Sequence, residues 1–257
     1  MLMPNPTMLE LILARLGMLD KAPAELAAEV DEIREDRAHG SGGADPEWVD
    51  LRTTPRVRTE HLRGRPVGSR AWTEITGITF HQTGNAHLHA AHRLLPAVPA
   101  HALIDRRPTT VLLQPATAYM QHAHALNATT IGIETVCHAA GIEGDARTLW
   151  IPKGKRADEV LAEPTDAQLE ATYELGGWYC DLVAAHGGQI TEVWAHRQGR
   201  DDRSSDPGSR LWQGAVLPLA RDRNLDASPR RKVGTGTFIP DRWSRESNGI
   251  VYRRGIP

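Results

Sequence analysis

The chain has 257 residues, which is enough for one sizeable domain with a buried core. Its 30 Lys and Arg residues nearly balance its 32 Asp and Glu residues, so the sequence carries no electrostatic footprint for nucleic acid and we expect no nucleic-acid partner. Only two cysteines are present, which excludes a disulfide scaffold and a Cys-rich zinc module.

Targeting and membrane signals are weak. No apolar run approaches the roughly 20 residues that a membrane-spanning helix needs, so we predict no membrane span. The first residues have no basic segment and no small-residue cleavage site, so we expect synthesis in the cytoplasm without a signal peptide. We expect Cys137 and Cys180 to be small buried apolar groups, although a bridge between them is an open alternative. The composition does not indicate an oligomeric state.

The N-terminal segment has a helical pattern. Apolar residues such as Leu9, Ile12 and Leu16 recur at helical spacing over residues 7–37. The run HGSGGADP at 39–46 is typical of a flexible linker. We therefore predict a helical N-terminal extension and linker over residues 1–45.

The middle of the chain alternates between strand and helix patterns. Short β-branched segments at 75–80, 111–114, 130–136 and 190–195 are bounded by turn residues and predict strands. Residues 165–185 predict a helix, since Thr165 and Gln168 form a capping box and Gly187 follows the last turn. This alternation indicates an α/β sheet domain over residues 60–220.

The last segment, residues 221–257, is predicted to be a basic C-terminal extension. From residue 222 onward it has eight basic and four acidic residues, and Pro, Gly and Ser break any periodicity. Its composition fits either a wrapping segment or a small wall-binding element.

Polar residues with catalytic chemistry follow or lie in three of the predicted strands. His81 comes at the end of the 75–80 strand, Glu134 lies within an apolar strand, and His196 directly follows ITEVWA, with Asp206 ten residues later. Two imidazoles and a carboxylate suit a tetrahedral Zn²⁺ with an open position. Glu134 is suited to proton transfer, because an isolated carboxylate in an apolar strand is otherwise costly.

Other histidines and acids compete for these roles. His87, His89 and His92 form a rival metal pattern, although an exposed helix face explains them more simply. Asp201 and Asp202 compete with Asp206 for the third ligand position, but they lie among arginines and are typical of solvated loop charge.

A further pair, His122 and His124, alternates along an extended segment and fits the lining of a cleft without metal ligation.

Five ordered motifs add a family resemblance. They are ITFHQTG at 78–84, PAHALIDRRPTTVLLQP at 99–115, HALNATTIGIE at 124–134, PTDAQL at 164–169, and A-H-R at 195–197 followed by D-P-G at 206–208. Together they resemble the type 2 N-acetylmuramoyl-L-alanine amidases over about residues 72–215. That family includes peptidoglycan recognition proteins, phage endolysins and a cytosolic amidase of cell-wall recycling.

The resemblance implies a fold and a set of roles. The implied fold is a central mixed β-sheet flanked by helices, with the cleft above a zinc ion. The implied zinc ligands are His81, His196 and Asp206, with Glu134 as general acid/base. Predicted substrate-binding residues within the motifs are Thr83, His101, His124 and Asn127.

The sequence departs from the family pattern at one catalytic position. Recycling-type members have Lys two residues before the Asp ligand, where this chain has Ser204. Oxyanion stabilisation is then expected from zinc, the Ser204 hydroxyl or Arg203. Two milder departures are Pro108 in place of a turn Gly and Gln82 in place of a second His.

The resemblance implies a zinc-dependent enzyme that hydrolyses the amide bond between N-acetylmuramic acid and L-alanine in bacterial peptidoglycan. The N-terminal helices and basic tail favour a phage-type endolysin that acts on the wall after release. The alternatives are a cytosolic recycling amidase that acts on soluble muropeptides and a non-catalytic peptidoglycan-binding protein.

Overall fold

The computed structural model describes residues 48–52, 67–84 and 98–244. The predicted N-terminal helices and linker lie outside these ranges, as do His87, His89 and His92 and the end of the predicted basic extension. Within the described residues, no helix has the length and apolar character needed to cross a bilayer.

Eight strands are present in the described residues, and six of them form one mixed sheet. Their bounds are β1 (Trp48–Asp50), β2 (Gly68–Ser69), β3 (Gly77–Gln82), β4 (Ala102–Ile104), β5 (Thr110–Leu112), β6 (Ala118–Tyr119), β7 (Thr130–Thr135) and β8 (Glu192–Ala195). The sheet order is β1-β5-β4-β7-β3-β8, and its pairings are parallel except for the antiparallel β4–β5 pair. Strands β2 and β6 form a separate antiparallel pair.

The helical elements include one long helix. The α-helices are α1 (Ala157–Val160), α2 (Asp166–Ala185), α3 (Ser209–Leu211) and α4 (Leu217–Arg223), with a π-helical segment, Trp212–Val216, joining α3 to α4. Short 3-10 turns occupy Trp72–Glu74, His124–Leu126, Ala146–Thr148, His196–Gln198, Asp201–Arg203 and Asp241–Trp243. The predicted capping box starts α2: the Thr165 hydroxyl accepts from the Gln168 amide at 3.2 Å, and the Gln168 side chain accepts from the Thr165 amide at 3.1 Å. A mixed sheet with flanking helices confirms the predicted α/β class.

The two faces of the central strands differ in chemistry because successive side chains alternate between them. One face is apolar and packs with α2 in the main hydrophobic core; its members on β3 and β7 are Ile78, Phe80, Ile131 and Ile133. The residues that alternate with them form the polar face: Thr79, His81, Thr130, Gly132 and Glu134. The strands therefore place the candidate site on the face opposite the core.

The described part of the predicted basic extension packs onto the domain. Ile239 and Trp243 belong to the main core, and the Trp243 side chain is 0% exposed. Its indole N–H donates to the carbonyl of Gly141. The Val233 amide also donates to the Gln198 carbonyl at 2.9 Å, which ties this segment to the loop after β8. The predicted domain boundaries themselves remain predictions.

Both cysteines are free thiols. Cys137 is buried, as expected, and Cys180 is half-buried. The bridge that the sequence left open is therefore not formed.

Candidate metal centre

The carboxyl ends of three neighbouring parallel strands bring the predicted site residues together. In the β3–β7 register His81 lies opposite Glu134, and in the β3–β8 register Phe80 lies opposite Ala195. His196 follows Ala195 directly, so it emerges beside His81 at the same edge of the sheet. The parallel pairing thus gathers residues that are far apart in the sequence.

His81, His196 and Asp206 form a buried cluster in which one potential ligand atom from each residue lies within 4.8 Å of the others. His81 Nδ1 is 2.9 Å from His196 Nδ1, which is 3.0 Å from Asp206 Oδ2. Two imidazole nitrogens and a carboxylate oxygen are a donor set typical of Zn²⁺. The residues present therefore fit a zinc ion.

The competing acids occupy a different environment. Asp201 and Asp202 are both exposed. The Asp201 carboxylate accepts from Thr235, and the Asp202 carboxylate pairs with Arg200. Neither is a member of the buried cluster.

The loop that carries Asp206 is held against β3 by Gln82. The Gln82 amide donates to Asp206 Oδ1 at 2.9 Å, and its side-chain nitrogen donates to the Ser205 carbonyl at 2.8 Å. The Gln82 side-chain oxygen accepts from the Ala139 amide, which ties the loop to the segment after β7. Gly208 has φ of 96°, and a Cβ there would lie 2.7 Å from the Ala139 side chain, so this turn requires glycine.

Burial keeps the side chains of His81, His101 and His122 neutral. The pKa of His81 is well below its usual range because its ring is buried, and positive charge on His196 or His122 would lower it further. Burial also lowers the pKa of His122 to about 3 and holds the pKa of His101 well below normal. A neutral imidazole is the form that binds a metal, so His81 is in the state that ligation needs.

Glu134 lies next to the cluster with little solvent contact. Its side chain is 13% exposed, and Oε1 is 4.0 Å from His81 Nδ1. Oε2 is buried and has no hydrogen-bond partner among the described residues. Burial raises the pKa of Glu134 well above normal, Asp206 raises it further, and Arg203 opposes the rise. A carboxyl group with a raised pKa and an unused oxygen is suited to taking up and releasing a proton.

Ser204 and Arg203 lie on the loop that leads to Asp206. Ser204 is exposed, and its carbonyl accepts from the Arg197 guanidinium. The Arg203 side chain is also exposed, yet its positive charge lowers the pKa of both Glu134 and His81. The electrostatic field of the Arg203 guanidinium therefore reaches the buried cluster.

The four predicted substrate-binding residues have different environments. His101 is fully buried: Nδ1 accepts from the Gly132 amide at 2.9 Å, and Nε2 lies 3.0 Å from the Ala118 carbonyl. Asn127 is buried, and its side chain accepts from the Ala123 amide at 2.6 Å.

The other two are more accessible. His124 is exposed, with Nε2 2.7 Å from an Arg200 guanidinium nitrogen, and Thr83 is half-buried just after β3, with its hydroxyl donating to the Cys137 carbonyl. Substrate contact by any of the four remains a prediction.

Three residues shape the centre in ways that the sequence did not predict. In the sequence Gln82 stands out only as a departure from the family pattern, yet in the structure it holds the Asp206 loop in place. His122 contacts His81 directly, with His122 Nδ1 3.0 Å from His81 Nε2. Gly132 lies beneath the His122 ring, and a glycine inside an apolar strand was the available signal of such a close approach.

Comparison with known proteins assigns the sequence of this chain to a family. The sequence model of the family described as N-acetylmuramoyl-L-alanine amidase matches residues 71–209, which is more than half of the 257-residue chain. No curated protein sequence matches the chain.

Solved structures with similar folds have low sequence identity. The amidase LysC from Clostridium intestinale URNW is 16% identical with a TM-score of 0.42, and the match covers 71% of this chain and all (100%) of that one. Drosophila peptidoglycan recognition protein SD is 13% identical with a TM-score of 0.45, covering 71% and 98%. The amidase AmiD from E. coli, in complex with an anhydro-muropeptide, is 20% identical with a TM-score of 0.42, covering 62% and 61%.

Proposed function

Because the chain belongs to the N-acetylmuramoyl-L-alanine amidase family, we propose that it is a zinc-dependent hydrolase of the amide bond between N-acetylmuramic acid and L-alanine. One observation carries the proposal. His81, His196 and Asp206 converge in a buried cluster, and Glu134 lies beside it. Oε2 of Glu134 has no hydrogen-bond partner among the described residues. The three proposed metal ligands and the proposed proton-transfer group, Glu134, are thus different residues of one site.

In this proposal His81, His196 and Asp206 hold the metal. Bound zinc would polarise the scissile carbonyl and lower the pKa of the attacking water. Glu134 takes the proton from that water and delivers it to the departing nitrogen of L-alanine. Its position within 4.0 Å of His81 supports this role, since the proton must be taken up next to the ligands.

Stabilisation of the tetrahedral oxyanion is assigned to the Asp206 loop. In the absence of the usual lysine, the Ser204 hydroxyl and the Arg203 guanidinium are the nearest candidates in the sequence. The influence of Arg203 on the pKa of Glu134 supports a cation within electrostatic reach of the reacting groups.

Thiol chemistry is a poor alternative. Burial raises the pKa of the Cys137 thiol well above normal and that of Cys180 to about 11, whereas a nucleophilic cysteine needs a lowered pKa. A glycosidase would need two carboxylates that flank a glycosidic bond. Of the two carboxylates at this site, Asp206 belongs to the metal-type donor set, which leaves Glu134 alone for proton transfer.

Product analysis on purified peptidoglycan tests the proposed reaction. Digestion should create free L-alanine amino termini and no new reducing sugars. Cleavage should continue after thiol alkylation and stop with a zinc chelator. New reducing ends without new alanine amino termini would refute the proposed reaction.

For the biological role we propose a phage-type endolysin, with the recycling amidase as the second candidate. Basic residues in the C-terminal segment favour action on the intact wall, whose anionic polymers attract cations. Parallel rates on intact sacculi and on soluble anhydro-muropeptide separate the two. Faster turnover of the soluble fragment would favour recycling, and binding without turnover of either would indicate a non-catalytic binding protein.

A further inference from the structure

His122 is packed into the polar face of the sheet at a position that only a glycine neighbour allows. It lies in the segment between β6 and β7 and is 6% exposed. A Cβ on Gly132 would lie 2.7 Å from His122 Nδ1, which is closer than a carbon and a nitrogen can approach. Absence of a side chain at Gly132 therefore lets the ring lie directly over β7, in contact with His81.

The hydrogen bonds of His122 have a defined direction. Its Nε2 is 3.1 Å from the Thr130 carbonyl, and a carbonyl oxygen can only accept, so Nε2 carries the proton. A neutral imidazole then has a lone pair on Nδ1. This Nδ1 is 3.0 Å from His81 Nε2, so His81 is the donor in that contact.

The tautomer of His81 follows from this chain of contacts. If the proton of His81 is on Nε2, its Nδ1 has a free lone pair. That Nδ1 is the atom 2.9 Å from His196 Nδ1, on the side of the candidate ligand cluster. With the opposite tautomer, the Nδ1 proton would point into the cluster and exclude a metal.

We propose that His122 is a positioning residue for the metal centre, which fixes the Nε2–H tautomer and the ring orientation of His81 so that Nδ1 is available for ligation. The metal-binding consequence rests on the proposed function, whereas the tautomer is a property of the metal-free protein. Hydrogen-bond partners of this kind typically change metal affinity by about 10- to 100-fold.

A matched pair of substitutions separates hydrogen bonding from packing. His122→Asn retains an acceptor oxygen close to the position of Nδ1, and His122→Leu has nearly the same size but no acceptor. His138→Leu is the control, because His138 is a buried histidine that also donates to a carbonyl, that of Trp150, at 2.6 Å. It removes a comparable bond without touching His81.

The first measurement is the long-range ¹H–¹⁵N spectrum of the imidazoles in metal-free protein. His81 should have the Nε2–H tautomer in the parent, in His122→Asn and in His138→Leu, and a mixture of tautomers in His122→Leu. A predominant Nδ1–H tautomer of His81 in the parent would overturn the proposal.

The second measurement is the zinc dissociation constant by competition with a chelator. We expect His122→Leu to bind about 10- to 100-fold more weakly, and both other variants to remain within about threefold of the parent. Parental affinity in folded His122→Leu, or equal weakening in His122→Leu and His122→Asn, would overturn the proposal.

If His122→Leu fails to fold, Gly132→Ala replaces it, since the added methyl displaces the His122 ring and should weaken zinc binding to the same extent; unchanged affinity there would overturn the proposal. If the parent itself binds no zinc, the proposed function fails, and the tautomer of His81 in metal-free protein still tests the role of His122.

Discussion

Glu134→Gln is the substitution that most cleanly separates proton transfer from metal binding. Glutamine has nearly the same shape as glutamate but cannot take up a proton at neutral pH. Among the described residues, Oε1 of Glu134 lies 4.0 Å from His81 Nδ1, which is beyond hydrogen-bond distance, and Oε2 has no hydrogen-bond partner. The change therefore removes a proton carrier and breaks no strong contact.

Loss of this proton carrier should lower the turnover rate strongly. A positioned acid/base contributes about 10² to 10⁴ in rate, which corresponds to about 3 to 5 kcal/mol of activation free energy. Stability should change little, because burial already raises the pKa of Glu134 and disfavours its charged form, so glutamine replaces one buried group that lacks a partner among the described residues with another of similar size. Zinc content should equal that of the parent, because Glu134 is not one of the three clustered ligand residues.

The assay combines three readouts on one preparation: release of L-alanine amino termini from muropeptide, bound zinc by elemental analysis, and thermal unfolding. The rate should fall by at least about 10², while zinc content and melting temperature stay at the parental values. A parental rate would show that another group transfers the proton. Loss of zinc would show that Glu134 is a ligand.

Three further predictions concern the ligand loop and the buried histidines. Asp206→Ala should abolish both zinc binding and turnover, whereas Asp202→Ala, at an exposed position of the same loop, should change neither. Ser204→Lys should keep zinc, since residue 204 is outside the cluster, and should raise the turnover rate by adding a cation beside the oxyanion. His101→Asn should alter the pH dependence of unfolding: burial lowers the pKa of His101, so below about pH 6.5 the unfolded chain binds a proton that the native state excludes, and stability falls by up to about 1.4 kcal/mol per pH unit. In urea unfolding of metal-free protein, the variant should show a slope that is smaller by this amount.

A different experimental result would contradict each of these three predictions. Full activity of metal-free Asp206→Ala would end the ligand assignment. Zinc loss in Ser204→Lys would show that the loop is aligned incorrectly with the family. An unchanged slope of unfolding free energy between pH 6.5 and 5 in His101→Asn would show that His101 is protonated in the native state.

Local sequence signals predicted the elements that carry the site. β-branched runs located β3, β7 and β8, and the Thr165–Gln168 capping box located the start of α2. These signals are strong because each is set by neighbours in the sequence. The long connection through α2 allows β7 and β8 to run in the same direction on either side of β3, but the pairing of both strands with β3 is a long-range contact that the local signals do not give.

Features set by long-range contacts were not accessible in this way. Strand β1 has only three residues and exists through its pairing with β5, which no local pattern reveals. Trp243 lies in a segment whose Pro, Gly and Ser content obscures any periodicity, yet it is fully buried in the core. A single buried aromatic residue in an irregular segment has no period to detect.

The inner structure of the site was predicted only in part. The residues that form the buried cluster could be anticipated from the sequence, since His81 belongs to β3 and one loop links His196 to Asp206; their role as metal ligands stays a prediction. The roles of Gln82 and His122 depend on which backbone groups lie within hydrogen-bond distance, and that is a property of the folded sheet. The position of the proton on His81 likewise depends on the Thr130 carbonyl beyond His122.

The central claim is that this chain is an amidase whose turnover depends on one metal ion held by His81, His196 and Asp206. The most direct measurement is a zinc titration of chelator-treated protein, with release of L-alanine amino termini from peptidoglycan recorded at each addition. Activity should be absent without zinc, rise in proportion to added zinc and level off at about one ion per chain. Full activity in the metal-free protein, or no activity at any zinc level, would contradict the account.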